Sequence, residues 1–174
     1  MASAVDVLRG QWARSCDRIL RRLDGLSDEE YFWEPVAGCW SVRPDVTSPS
    51  GWTVDYPEVP PDPPPVTTIA WRLLHVSHGN TIYWEHAFGP GVRNFSDLAP
   101  HGDAAGALDY LARSQRPITD TLAELADSTI DQMVPTHFGV DWPASRVVEV
   151  LIDEQVHHGA EIALLRDLYR VRNR

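Results

Sequence analysis

The chain has 174 residues, 43% hydrophobic and 23% charged, with a formal net charge of −10, a length that suits one domain, residues 1–174, with a substantial core. The acidic balance argues against nucleic-acid backbone binding and against adhesion to anionic membranes, both of which need a basic surface. No apolar run reaches the ~20 residues that span a bilayer, and Met1–Val7 lacks the basic region and apolar core of a signal peptide; with only Cys16 and Cys39 and no C-x-x-C, a reducing cytoplasm is expected.

From about Ser3 to Leu23, apolar residues Val5, Leu8, Trp12, Cys16, Ile19 and Leu23 recur three and four apart, which predicts an amphipathic helix ended by Gly25. Ser27-Asp28-Glu29-Glu30 reads as a capping-box start for a short turn. The arginines cluster at Arg14, Arg18, Arg21 and Arg22 and again at Arg166, Arg170, Arg172 and Arg174, interleaved with apolar stripes, and are read as solvated helix faces. A helix with one apolar stripe must bury it against others, so a bundle is implied.

From Pro35 to Pro65 the texture changes. Prolines at 57, 60, 61, 63, 64 and 65 exclude regular helix, and the interleaved Trp33, Trp40, Trp52 and Tyr56 are too aromatic for a disordered linker. The stretch predicts a long ordered loop between the first two long helices, either functional or a cap on the core.

Thr67 or Thr68 caps the next predicted helix, which runs to about Phe88 before Gly89-Pro90-Gly91. One of its stripes reads Thr68, Trp71, His75, His78, Ile82. A third long helix is predicted over Asp103–Ala126, with Pro117 forcing a kink or break near Arg116. Residues 127–134 hold a short turn and 135–142 a loop, and Pro143 opens the last helix as a first-turn proline. Its inward stripe is Val147, Leu151, Glu154, His158, Ile162, Leu165 and Tyr169. A carboxylate and an imidazole thus sit in an apolar row, where an unpaired charge is costly and calls for an ion pair or a metal. His75 supplies a third ligand from the other helix, with His78 as the fallback.

Two histidines and one glutamate form an open ligand set for a divalent metal, zinc above all. Nickel, cobalt and iron accept the same donors. The open position would suit either a water activated for hydrolysis or an ionised thiol. His157 and Glu161 flank the ligands on the same helix, and the sequence allows either one to orient a ligand or to carry a proton. No G-x-G-x-x-G, P-loop, G-x-S-x-G or H-E-x-x-H is present.

His157-His158-Gly159-Ala160-Glu161-Ile162, before Leu164-Leu165-Arg166-Asp167-Leu168-Tyr169, resembles the last helix of the DinB/YfiT-like superfamily. Thr67-Thr68-Ile69-Ala70-Trp71-Arg72-Leu73-Leu74-His75 resembles its second helix. The likeness covers nearly the whole chain. It implies an all-α, antiparallel four-helix bundle binding a divalent metal through His75, Glu154 and His158. Glu154, where many members carry histidine, is similar to the mycothiol-dependent maleylpyruvate isomerase branch. The resemblance therefore also implies a low-molecular-weight thiol, mycothiol or a relative, and a small electrophilic substrate. A metal-dependent hydrolase and a non-catalytic, metal-stabilised bundle are the alternatives. A homodimer is compatible with the sequence, which shows no decisive interface stripe.

Overall fold

The computed structural model describes residues 2–57 and 61–173. Pro60 of the proline-rich stretch and Arg174 of the second arginine cluster lie outside the described residues. Four long helices carry the fold: α1 (Ala4–Leu23), α3 (Ile69–Phe88), α4 (Ala104–Glu124) and α5 (Ala144–Arg172), with a one-turn helix α2 (Asp28–Tyr31) after α1. Their starts follow capping chemistry. Ser3 caps α1 in a full capping box, and Ser27, Thr68 and Asp103 accept from the backbone of the first turns of α2, α3 and α4. Pro143 stands just outside α5 rather than in its first turn. The first amides of α5 are taken instead by the backbone, Ala144 N–H donating to Gln132 O at 2.9 Å and Ser145 N–H to Ile130 O at 2.7 Å.

The helices form a closed ring in which α1 touches α5 and α4, and α3 touches α4 and α5. The antiparallel arrangement expected from the sequence holds for two of these seams. Trp12 of α1 meets Thr119 of α4, and Arg9 meets Leu122, so those helices run oppositely. Likewise His75 of α3 lies by Glu154 of α5, and Tyr83 by Trp142. The other two seams run parallel, as the pairs Cys16–Gln155 and Arg22–Ala163, and Asn80–Ser114 and Trp84–Thr121, show. The reason is the long connections: residues 89–103 carry the chain from the end of α3 back to the start of α4 beside α3's own start.

Two apolar clusters fill the ring. One, around Ile19, Leu23, Tyr31, Leu73, Leu111 and Ile162, lies towards the end of α1. The other, around Trp12, Ile118, Leu122, Val147 and Leu151, lies towards its start. Between them, buried Asn80, Ser114 and Gln155 meet Cys16 in a polar layer contributed by all four helices. The break predicted near Arg116 is absent: α4 continues through Pro117, its flanking Leu111, Gln115, Ile118 and Leu122 all buried against the other helices. Packing on both sides of the proline holds the helix through the lost hydrogen bond.

The segment between α1 and α3 is built from α2 and a hairpin, β1 (Val42–Pro44) with β2 (Trp52–Val54), in antiparallel register Val42 to Val54. Its turn uses Asp45, whose carboxylate accepts from Thr47, and Gly51 at φ +75°. A second small pair joins β3 (Met133–Val134) to β4 (Trp142–Pro143) ahead of α5.

Arg166 corrects the reading of its cluster as a solvated face. It is 1% exposed and forks onto Glu30 of α2, Nε to Oε1 and Nη2 to Oε2, each 2.8 Å. Its Nη1 donates to the carbonyls of Arg22 and Asp24 at the end of α1. Asp28 of the same turn accepts from Ala104 N–H at the start of α4 at 2.8 Å. One turn of helix thus ties three long helices together through charge-assisted bonds. Removing one partner of such a buried pair leaves the other uncompensated. Arg166→Ala is expected to cost about 3–5 kcal/mol in urea unfolding, and the double variant Arg166→Met with Glu30→Leu to recover most of that loss. A loss below ~1 kcal/mol for the single variant would contradict the assignment.

Candidate metal centre

His75, in the second turn of α3, and Glu154 and His158, one turn apart on α5, come together at the antiparallel seam of those helices. Glu154 Oε2 stands 3.1 Å from His75 Nε2 and 3.1 Å from His158 Nε2. The three donor atoms all lie within 4.8 Å of one another. Donors bound at 2.0–2.2 Å around a single ion stand about 3.0–3.5 Å apart, so the two measured separations suit ligands of one metal. His158 is buried, while His75 and Glu154 are about one-third exposed, which leaves the cluster open on one side.

The residues around it hold it in place. Glu161 Oε2 accepts from Nδ1 of His158 at 2.6 Å, directing Nε2 of that ring at Glu154. Arg72 Nε lies 2.9 Å from the same Glu161 oxygen, an ion pair made off the hydrogen-bonding direction. His75 is stacked on Trp71 at 5.0 Å and 10° and meets the edge of His158 at 4.8 Å. Glu161 is therefore an orienter of His158. His157 is exposed, its Nε2 3.5 Å from Glu161 Oε1. The sequence alone leaves the roles of both open. Trp71 shares the stripe of His75 in the sequence, whereas the role of Arg72 is not legible there because its partner faces it across the seam.

The electrostatics follow. Hydrogen bonds from His158 and His75 outweigh partial burial and hold Glu154 far below the usual carboxylate range. Burial opposes a charge on His158, but its bonds to Glu154 and Glu161 prevail and raise its pKa. Burial resists ionisation of Glu161, yet His158 and Arg72 bring its pKa down. Burial lowers that of Arg72 against the pull of Glu161 and Glu154. Without a metal, Arg72 is the fixed cation beside these carboxylates, its Nε 2.9 Å from Glu161 Oε2. The donor set of two imidazoles and a carboxylate, with one imidazole's spare nitrogen on a second carboxylate, is one a divalent metal fits.

His78, the fallback ligand, is outside the cluster. It lies buried edge-on to Tyr110 of α4 at 5.6 Å, because its place three residues after His75 turns it towards α4 rather than α5. Beside the cluster, a cavity of about 440 Å³ has His75 in its wall. The hairpin covers it. Trp40 N–H donates to Val66 O at 2.9 Å and Thr68 N–H to Trp40 O at 2.8 Å, while Trp71 Nε1 donates to Asp55 O at 2.8 Å. Tyr56 lies parallel to Trp71 at 6.2 Å, extending the stack that starts at His75.

A helical bundle with a two-histidine, one-carboxylate cluster on facing helices belongs to the class of bundle proteins that could hold a divalent metal between their helices. The chain is a member of the DinB superfamily, whose sequence profile matches residues 11–162. Among solved structures, a DinB-like protein from Bacillus cereus ATCC 10987 superposes with a TM-score of 0.62 at 17% identity, over 91% of this chain and 87% of that one. A conserved protein from Enterococcus faecalis gives 0.57 at 12% identity, over 97% and 98%. Both show the same fold. No curated protein matches the chain in sequence. Among the described residues, no helix is long and apolar enough to cross a membrane.

Burial pushes His78 down from 6.5 to about 4. The unfolded chain therefore binds a proton between those values that the folded chain refuses, so His78 makes stability fall as pH drops through that window. The expected result is a urea midpoint that falls less steeply from pH 6.5 to 4 in His78→Gln than in the wild type; parallel curves would contradict it.

Proposed function

We propose that His75, Glu154 and His158 hold a divalent metal ion, zinc or nickel, and that the protein uses it with a low-molecular-weight thiol to transform a small electrophile. The observation that carries this reading is the convergence of three donors from two helices, 3.1 Å apart along two edges, with Glu161 on the spare nitrogen of His158. Bound there, a divalent ion supplies Lewis acidity and lowers the pKa of a thiol or water at its remaining position. Glu154 brings a negative charge that partly neutralises it, which a third histidine would not. Glu161 keeps the Nδ1 proton of His158 in place, so that Nε2 is the lone-pair nitrogen, and Arg72 balances the charge of Glu161. Trp71 fixes the plane of His75 by stacking. The cavity gives a small molecule a place next to His75, the one donor residue in its wall.

The thiol part of the reading rests on Glu154. A glutamate at that place makes the chain similar to the mycothiol-dependent maleylpyruvate isomerase branch, so mycothiol or a related thiol, with transferase or isomerase chemistry in the cytoplasm, is the activity proposed.

Purified protein is expected to carry about one equivalent of divalent metal by mass spectrometry, and Glu154→Ala and His158→Ala to lose it. Glu161→Gln should keep the fold but weaken metal affinity about 10–100-fold in a chelator competition. A folded, metal-free protein that refuses zinc, nickel and cobalt would overturn the reading and leave an internal ion pair. Free thiols should shift the visible spectrum of the cobalt-substituted protein. A spectrum indifferent to thiols, with ester or amide hydrolysis in their absence, would replace thiol transfer by hydrolysis.

A further inference from the structure

The cavity beside His75, about 440 Å³, has the size of a small-molecule site. Its walls come from three places: Trp52, Val54 and Tyr56 of the hairpin segment, Trp71 and Leu74 of α3, and Phe95 of the turn before α4. Among the described residues, no Asp, Glu, Lys or Arg lines it; its polar residues are serines, a threonine, a tyrosine, two tryptophans and two histidines. The arginines of the surrounding elements are already engaged. Arg72 pairs with Glu161, Arg43 with Asp55 and Glu34, and Arg93 with buried Glu85. From the walls themselves a carboxylate or phosphate entering this space would gain no counter-charge for the water it loses, which is strongly unfavourable where no metal stands on His75.

The aromatic walls are set before anything binds. Tyr56 lies within 9° of parallel to Trp71, and Trp71 within 10° of His75. Trp52 is stacked on Phe32 at 5.4 Å and 12°. Its indole also lies directly against Gly102, where a Cβ would come 2.0 Å from Trp52 Cε2. Only a glycine at 102 leaves room for Trp52 in this position. Flat, rigid faces favour flat apolar ligands, because stacking then costs little ordering on the protein side.

We propose that this cavity binds the flat body of an uncharged aromatic small molecule and rejects anionic analogues of the same shape. The inference rests on the metal reading only for direction, the reacting group of such a molecule facing His75; the selectivity of the cavity stands on its own walls.

The test is calorimetric titration near neutral pH with 1-naphthol and 1-naphthoate, which share a ring system and differ in charge, on metal-loaded and chelator-stripped protein. Naphthol is expected to bind at least roughly tenfold more tightly than naphthoate in the chelator-stripped protein, where the walls alone decide the comparison. Val54→Arg should cancel or reverse that preference, as should Ser96→Arg on the opposite wall if the first variant does not fold. Gly102→Ala should weaken naphthol binding by displacing Trp52. Equal or tighter binding of naphthoate to the stripped protein, or no binding of either compound, overturns the inference. The metal content of the same samples is read separately. A protein that takes no metal yet selects naphthol keeps this inference and removes the metal reading.

Discussion

The seam between α3 and α5 depends on one carboxylate oxygen. Glu154 Oε2 lies 3.1 Å from an imidazole on each of the two helices, and the neighbours of those rings are arranged to suit it. His75 is held flat by Trp71, and His158 is directed by Glu161, which Arg72 in turn balances. The carboxylate is ionised throughout any working pH range, since its bonds to both rings hold its pKa well down. Something positive must answer it. Around it stand Arg72 and His158; burial opposes a charge on His158, but its bonds to Glu154 and Glu161 raise its pKa. A divalent metal would take over the same role, which makes metal and proton competitors for one site.

The site is placed by chain that lies well away from it. Asp28 and Glu30 on a single helical turn fasten the start of α4 and Arg166 of α5, and Arg166 in turn fastens the end of α1. That fastening gives the following segment a fixed starting point. The hairpin is then tied to the start of α3 by Trp40, by Ser41 Oγ on Thr68 Oγ1 at 3.0 Å, and by Asp55 on the Trp71 indole. Tyr56 and Trp52 consequently stand over the turn of α3 that bears His75. An aromatic cavity and a polar metal-type cluster thus share one histidine, the cluster having the charge and the cavity having none.

The four long helices were legible because each has a helical apolar stripe and three of them a side-chain cap at its start, signals that act within a few residues of chain. Glu154 and His158 were legible for a related reason, as charge-bearing groups in a stripe whose members Val147, Leu151, Ile162 and Leu165 are buried, with Tyr169 at its end half-buried. Helix direction was not legible. Whether α1 and α5 run parallel depends on how far the connections cross the bundle, and residue patterns carry no sign of that. Arg166 was misread because its neighbours Arg170 and Arg172 are exposed and only Glu30, far off in sequence, makes burial tolerable. Arg72 escaped notice for the same reason, its partner lying on the facing helix. The choice between His75 and His78 turned on a rotation of three residues around α3, which a stripe drawn over both could not resolve.

The central claim is that one ion binds between His75, Glu154 and His158. Diffraction from zinc-soaked crystals, recorded on both sides of the zinc absorption edge, tests it most directly. The account predicts a single anomalous peak about 2.0–2.2 Å from Nε2 of His75, an oxygen of Glu154 and Nε2 of His158, with Glu161 still on Nδ1 of His158. An empty seam, or a peak held by His157 and Glu161 instead, would contradict it.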